Sequence, residues 1–180
     1  MHKSILTIAL LATAAACTPA TEENSEPTTT EAVQSSVIAD LGGDPTGPVY
    51  TATKGDTLAV SGYDVVSYFD NADGPVEGSQ DFTVRYEGFD YRFSSEENAQ
   101  SFIADPAKYA PQYGGNCAWA IGANDALAPG DPEVYKIVDG KLYLNFSKSV
   151  QENWEKDIPG FIEKADVNYP THSPDERFDD

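Results

Sequence analysis

From Thr57 to Tyr169 the apolar residues fall into short groups whose spacing changes from one segment to the next. The run TLAVSGYDVVSYF supplies Leu58, Val60, Val65, Val66, Tyr68 and Phe69 as core candidates, and DNADGPVEGSQ after it reads as a loop. That loop does not fit a calcium-binding pattern, because Phe69 stands where the first oxygen ligand is required. In DFTVRYEGFDYRFSS apolar residues alternate on both sides of Glu87-Gly88, which predicts a hairpin with a two-residue turn. The register then sets Tyr86 against Phe89, Val84 against Tyr91, Phe82 against Phe93 and Arg85 against Asp90. Ser94 with Glu97 fits a capping box, Ala99, Phe102 and Ile103 recur at helical spacing, and Asp105-Pro106 marks the end of that helix.

The second half repeats the alternation. VYKIVDGKLYLNF predicts another hairpin, with Asp139-Gly140 as a type I′ turn and Ile137 and Tyr135 facing Leu142 and Leu144. Ser147 can cap a helix that carries Val150, Trp154 and Ile158, and a shorter helix around Phe161, Ile162 and Ala165 closes the domain. Thr171 to Asp180 reads as a frayed tail, and no internal repeat is evident along the chain. These elements predict a small single α+β domain of two β-hairpins and three to four helices.

The amino terminus has a different character. His2 and Lys3 form a short basic region, Ile5 to Ala12 an apolar run too short to span a bilayer, and Ala14 to Ala16 a small-residue cleavage site, so residues 1–16 are expected to be a signal peptide. Cys17, directly after them, resembles the cysteine of a bacterial lipobox, which takes a diacylglycerol on its sulfur and becomes the new amino terminus; Ala14 stands where a leucine is usual. Each buried acyl methylene is worth roughly 0.8 kcal/mol, so two or three chains would hold the protein on a membrane. Thr18, in place of the aspartate that tends to retain lipoproteins at the inner membrane, points to a periplasm-facing position on the outer membrane. TPATEENSEPTTTEAVQSS contains little that can bury surface. Residues 17–48 are therefore expected to form a lipidated, disordered acidic linker, residues 49–170 the domain and residues 171–180 a flexible tail.

Charge narrows the partners. The 180 residues hold 11 Lys and Arg against 30 Asp and Glu, a formal net charge of −19. A field of that sign repels phosphate backbones and anionic headgroups, which argues against nucleic acid and against a polybasic membrane contact. The membrane contact expected is the lipid on Cys17.

YRFSSEENAQSFIADPAKYAPQYGG resembles the core of the YHS domain, a small hairpin-and-helix module found beside metal-transporting ATPases and other metal-handling proteins. The wider stretch, from GYDVVSYF through PAKYAPQYGGNCAWA to DGKLYLNFSKSVQENWEKDIPGFIEKADVNYP, is similar to exported YHS-containing proteins of bacteria. The resemblance implies metal handling through a cysteine just after the strand phenylalanine and another four residues on. Ser94 and Asn98 occupy those positions here, and a hydroxyl and a carboxamide do not replace thiolates at a soft-metal site. Ser94 is read instead as a helix cap.

Cys117, in YGGNCAWA, is the one thiol left once Cys17 is lipidated, so no internal disulfide can form. Three readings stay open for it. It can be a small buried hydrophobe. It can be a redox thiol in the first turn of a short helix capped by Asn116 after Gly114-Gly115, cycling through sulfenic acid or a mixed disulfide; relatives described as selenoproteins imply redox chemistry at this position. Or it can ligate a transition metal, although His172, in the tail, is the only imidazole left after cleavage and a closed zinc site is excluded by count. Tyr109, Tyr113 and Trp119 can line a pocket beside it or simply fill core. No histidine in the expected domain can activate the thiol, and Asp64, Asp131 and Glu133 sit in loop-like contexts that read as solvated.

The resulting expectation is a membrane-anchored, non-enzymatic envelope module that binds a ligand or metal near Cys117 through Tyr113, Asn116, Cys117 and Trp119. Thiol redox chemistry at Cys117 is the alternative. Mass spectrometry of the membrane fraction should find an acylated amino terminus at Cys17 that Cys17→Ser eliminates; an unmodified amino terminus in the wild-type chain would contradict the lipid anchor.

Overall fold

The two tight turns that the sequence marks are the fixed points of the architecture. Glu87 and Gly88 take φ of 49° and 82°, and Asp139 and Gly140 take 50° and 73°, the left-handed pair that a type I′ hairpin requires. The computed structural model of the protein describes residues 38–70 and 74–179. The expected signal peptide, Cys17 and the linker as far as residue 37 lie outside the described residues. Strands β1 (Ile38–Asp40), β2 (Ser79–Tyr86) and β3 (Phe89–Phe93) form one sheet in that order, and β4 (Asp131–Val138) pairs with β5 (Lys141–Asn145) in a second. The helices are α1 (Ser67–Asp70), α2 (Glu96–Ala104), α3 (Pro106–Tyr109), α4 (Ala118–Asn124), α5 (Lys148–Trp154) and α6 (Ile158–Asn168). The molecule is thus an α+β domain. Two of the six helices, α1 and α3, are four-residue turns too short to leave a periodic apolar signature.

Both hairpins take the predicted register next to their turns, with Tyr86 opposite Phe89, Arg85 opposite Asp90, Val84 opposite Tyr91, Ile137 opposite Leu142 and Tyr135 opposite Leu144. Further out the first hairpin departs: a bulge between Ser79 and Thr83 leaves Phe93 opposite Ser79 rather than Phe82. The cap of α2 also moves by one residue. Ser95, not Ser94, accepts the amide of Asn98, because Ser94 is occupied elsewhere. Ser147 caps α5 as expected. That helix ends at Trp154, and Ile158 opens α6, capped separately by Asp157.

The chain contains an internal repeat that its residue identities conceal. Val60, Ser61 and Gly62 form a left-handed turn with φ of 51°, 52° and 84°, and Tyr113, Gly114 and Gly115 form the same turn with 57°, 59° and 77°. The next residues, Tyr63 and Asn116, each form an isolated bridge, to Glu77 and Pro129. The amides of Asp64 and Cys117 then bond the carbonyls of Val76 and Ala128. A hairpin follows in each half, with a register shift near its start, then a serine-capped helix, Ser95 or Ser147, and then a helix capped by an aspartate with proline in its first turn, Asp105 or Asp157. Asp64 in the first unit therefore stands where Cys117 stands in the second.

Each unit gathers its own apolar cluster. Val65, Val66, Val84, Tyr91, Phe93 and Phe102 are buried in the first, and Tyr113, Ala118, Ile121, Tyr143, Trp154 and Ala165 in the second. Strand β5 joins them through its pleat: Leu142 and Leu144 pack into the first cluster and Tyr143 into the second. Phe93, Phe102 and Trp154 are fully buried, each contributing about 2–3 kcal/mol of transfer free energy.

Both ends of the domain reach further than expected. The sequence places the linker up to residue 48, yet Ile38–Asp40 pairs in parallel with Thr83, Val84 and Arg85, and Gly47 and Pro48 are buried. The tail is docked as well. The ring nitrogens of His172 lie 3.3 Å from Asp125 Oδ1 and 2.9 Å from Glu176 Oε1, and Arg177 Nη1 donates to Thr51 Oγ1 at 2.9 Å. Both segments are too polar to signal burial by pattern; backbone pairing, glycine and proline contacts and ionic hydrogen bonds hold them.

Candidate functional site

Two buried polar nodes and the cavity beside Tyr113 are the chemically distinctive places; a second, more open hollow of about 580 Å³ lies between α4 and α6, lined by Asn124, Glu163 and Val167 among others. The first node is Asp64, which the sequence read as solvated but which has no exposed surface. Its Oδ1 accepts the amides of Val66 (2.9 Å) and Ser67 (3.4 Å), and its Oδ2 accepts the Ser94 amide (2.9 Å), the Ser94 hydroxyl (2.7 Å) and Asn98 Nδ2 (2.6 Å). A carboxylate buried without a cation is tolerated only when its oxygens are saturated in this way. Ser94 and Asn98 are the positions where the YHS resemblance places metal-binding cysteines. Here both spend their donors on Asp64, and a hydroxyl, an amide and one carboxylate do not make a soft-metal site. Half-exposed Asp131 and exposed Glu133 lie at the start of β4.

Cys117 forms the second node, in the equivalent place. It has no exposed surface, its Sγ accepts the Phe146 amide at 3.3 Å, and the Asn145 Oδ1 lies 3.8 Å from it. Phe146 follows the second strand as Ser94 follows the first, so sulfur and carboxylate do the same work: each ties the turn at the head of its unit to the far end of its hairpin. Burial pushes the Cys117 thiol up from its ordinary value, more strongly than the amides of Ala120, Phe146 and Trp119 pull it down. The thiolate needed for nucleophilic or redox attack is disfavoured accordingly.

The expected ligand set divides. Asn116 is buried and spends Nδ2 on the carbonyls of Pro48 (2.8 Å) and Tyr113 (3.0 Å). Half-buried Trp119 packs against the second cluster, and Tyr109 belongs to the first, edge-on to Phe69. Tyr113 alone of Tyr113, Asn116, Cys117 and Trp119 lines the cavity. Among the described residues, no group of three or more His, Cys, Asp or Glu is gathered as a metal ion would need.

That cavity has a volume of about 340 Å³, inside the range of roughly 300–1,000 Å³ usual for small-molecule sites. It opens where the two units meet. Its lining includes Tyr86, Glu87 and Tyr91 of the first hairpin, Tyr113 and Gly114 of the left-handed turn, Asp166 and Tyr169 at the end of α6, and Gly47. Tyr113 donates its hydroxyl to Asp166 Oδ1 at 2.9 Å, and Tyr169 donates to the Pro48 carbonyl at 3.1 Å. All four phenols are pushed up. Burial is the largest cause for each, followed by the Glu87 carboxylate hydrogen-bonded to Tyr86, by the Glu87 charge at Tyr91 and Tyr169, and by the hydrogen bond to Asp166 at Tyr113. The tyrosines are therefore neutral donors in a negative field. Sequence reading missed Tyr86, Glu87, Tyr91, Asp166 and Tyr169, since they come from elements far apart in the chain.

In the Cys17→Ser variant, where Cys117 is the only thiol, a thiol reagent at mildly alkaline pH should react about 100-fold or more slowly with the folded chain than with the urea-unfolded chain. Equal rates would mean that the sulfur is reachable. Comparisons of the chain with protein-family models, with curated proteins and with solved structures find no match, so the chemistry of the site has to be taken from its own geometry.

Proposed function

We propose that this protein is a non-enzymatic ligand-binding module of the bacterial envelope, similar to the exported YHS proteins, held on the periplasmic side of the outer membrane by lipid on Cys17. Its binding centre is the cavity beside Tyr113 rather than the sulfur of Cys117. The observation that carries this reading is the contrast between the two places: Cys117 is sealed, whereas the cavity is open, of ligand size and walled by tyrosines from both units. Rigid aromatic walls with a few fixed polar groups are the usual make-up of a small-molecule site.

The remaining chemistry favours binding over turnover. The hydroxyl of Tyr113 is engaged with Asp166, and among the described residues no histidine or cysteine lines the cavity to act as base or nucleophile. An acyl anchor and a chain of acidic surface would present such a pocket to solutes of the envelope rather than to nucleic acid.

A fragment screen by amide NMR on the full chain in a non-ionic detergent tests the reading. Binding fragments should shift Gly47, Tyr86, Gly114 and Tyr169 together. Ala110→Phe, which places a ring in the cavity wall, should weaken them roughly tenfold or more while the rest of the spectrum is kept. Fragments that instead shift the amides around Cys117 and ignore Ala110→Phe would contradict it.

A further inference from the structure

The charge and shape of the cavity give its ligand a chemical class, an inference that rests on the pocket reading above. We propose that the cavity takes a small organic cation, an alkylammonium headgroup, walled by Tyr86, Tyr91, Tyr113 and Tyr169 and balanced by the carboxylates of Glu87 and Asp166.

Three observations converge on that class. The first is the walls. Tyr113 and Tyr169 meet with ring centroids 5.5 Å apart at 58°, and Tyr86 and Tyr91 at 6.3 Å and 55°. Tyr91 and Tyr113 are buried and also lie against Phe102 and Tyr143, so the ring surface left for a third body is that of half-buried Tyr86 and Tyr169. A cation is drawn to the electron-rich faces of aromatic rings, and alkylammonium groups are recognised by such cages.

The second is the sign of the field. Among the described residues the lining contains two carboxylates and no lysine, arginine or histidine. An anion placed there would meet Glu87 and Asp166 with no counter-charge, and desolvating it would cost far more than tyrosine hydroxyls return. The carboxylates come from elements far apart in the chain, Glu87 from the turn between β2 and β3 and Asp166 from α6. A centred positive charge is the arrangement that uses both.

The third is the ligand atoms on offer. A bare metal ion needs a close shell of oxygen or softer donors, six to eight of them for calcium, and among the described residues no such group of three or more acidic, His or Cys side chains is gathered. An alkylammonium asks only for low-polarity contact and diffuse negative charge. Its weakly hydrated surface is also the cheapest cation to bring out of water into an aromatic box.

The test compares tetramethylammonium with neopentyl alcohol, its neutral counterpart in shape, by amide NMR titration of the full chain in a non-ionic detergent. The cation should bind saturably, shift Tyr86, Gly114 and Tyr169, and bind roughly tenfold or more tightly than the alcohol. Glu87→Gln with Asp166→Asn keeps the hydrogen-bonding shape and removes both charges, and should reduce cation affinity about tenfold while leaving the alcohol unchanged. Equal binding of cation and alcohol, or binding of pocket fragments without the cation, overturns the inference and leaves a neutral-ligand pocket standing. If neither these probes nor any fragment engages the cavity, the pocket reading falls and takes this inference with it. Should the double variant fail to fold, the comparison of cation with alcohol on the unaltered chain decides.

Discussion

The carbonyl oxygen of Pro48 is the point on which the cavity depends. It accepts Asn116 Nδ2 at 2.8 Å and the Tyr169 hydroxyl at 3.1 Å, and so draws together the start of the domain, the left-handed turn and the end of α6. Two glycines make the approach possible. A Cβ on Gly114 would lie 2.4 Å from that carbonyl, and one on Gly47 would lie 2.6 Å from the Tyr169 ring; no side chain fits either gap. The turn also needs φ of 59° at Gly114, a region most residues avoid. Each donor engages the same Pro48 oxygen, so removing either loosens the junction between two segments while the other keeps the carbonyl paired.

A duplicated scaffold explains why the cavity lies where it does. Each unit gathers an apolar cluster and presents a hairpin turn, and where the units meet half-covered Tyr86 and Tyr169 lie beside buried Tyr91 and Tyr113. The units have diverged at their central node. Asp64 saturates itself with five donors from its own unit, whereas Cys117 accepts one amide with a softer atom. Both choices lock a turn to the end of a hairpin. In the second unit that lock holds Tyr113, four residues before Cys117, in the cavity wall. The sulfur that looks in the sequence like a reactive centre is thus an anchor near the residue that lines the cavity.

Local features were legible and distant ones were not. Glu87-Gly88 and Asp139-Gly140 disclosed both hairpins because a type I′ turn is written in two residues. Ser94 and Ser95 are both serine, so the cap could be displaced by one without changing the pattern. The repeat was hidden because its positions keep roles and change identities: Asp64 answers to Cys117, Phe93 to Asn145 and Ser94 to Phe146. Phe93 and Phe146 each precede a serine and look equivalent, yet Phe93 is fully buried and Phe146 is 55% exposed. Tyr113 was singled out from its neighbourhood to Cys117, and it lines the cavity. Tyr86, Glu87, Asp166 and Tyr169 were not, since nothing in a single sequence states that a hairpin turn and a terminal helix meet.

The docking of the segment before Tyr50 is the claim that bears the most weight, and hydrogen exchange at the Tyr50 amide measures it. That amide donates to the Gly114 carbonyl at 2.9 Å. In the full chain at neutral pH its exchange should be slowed on the order of a thousandfold relative to an unstructured peptide. Exchange at the unstructured rate would show that the segment does not close on the turn, and the cavity would lose the wall that defines it.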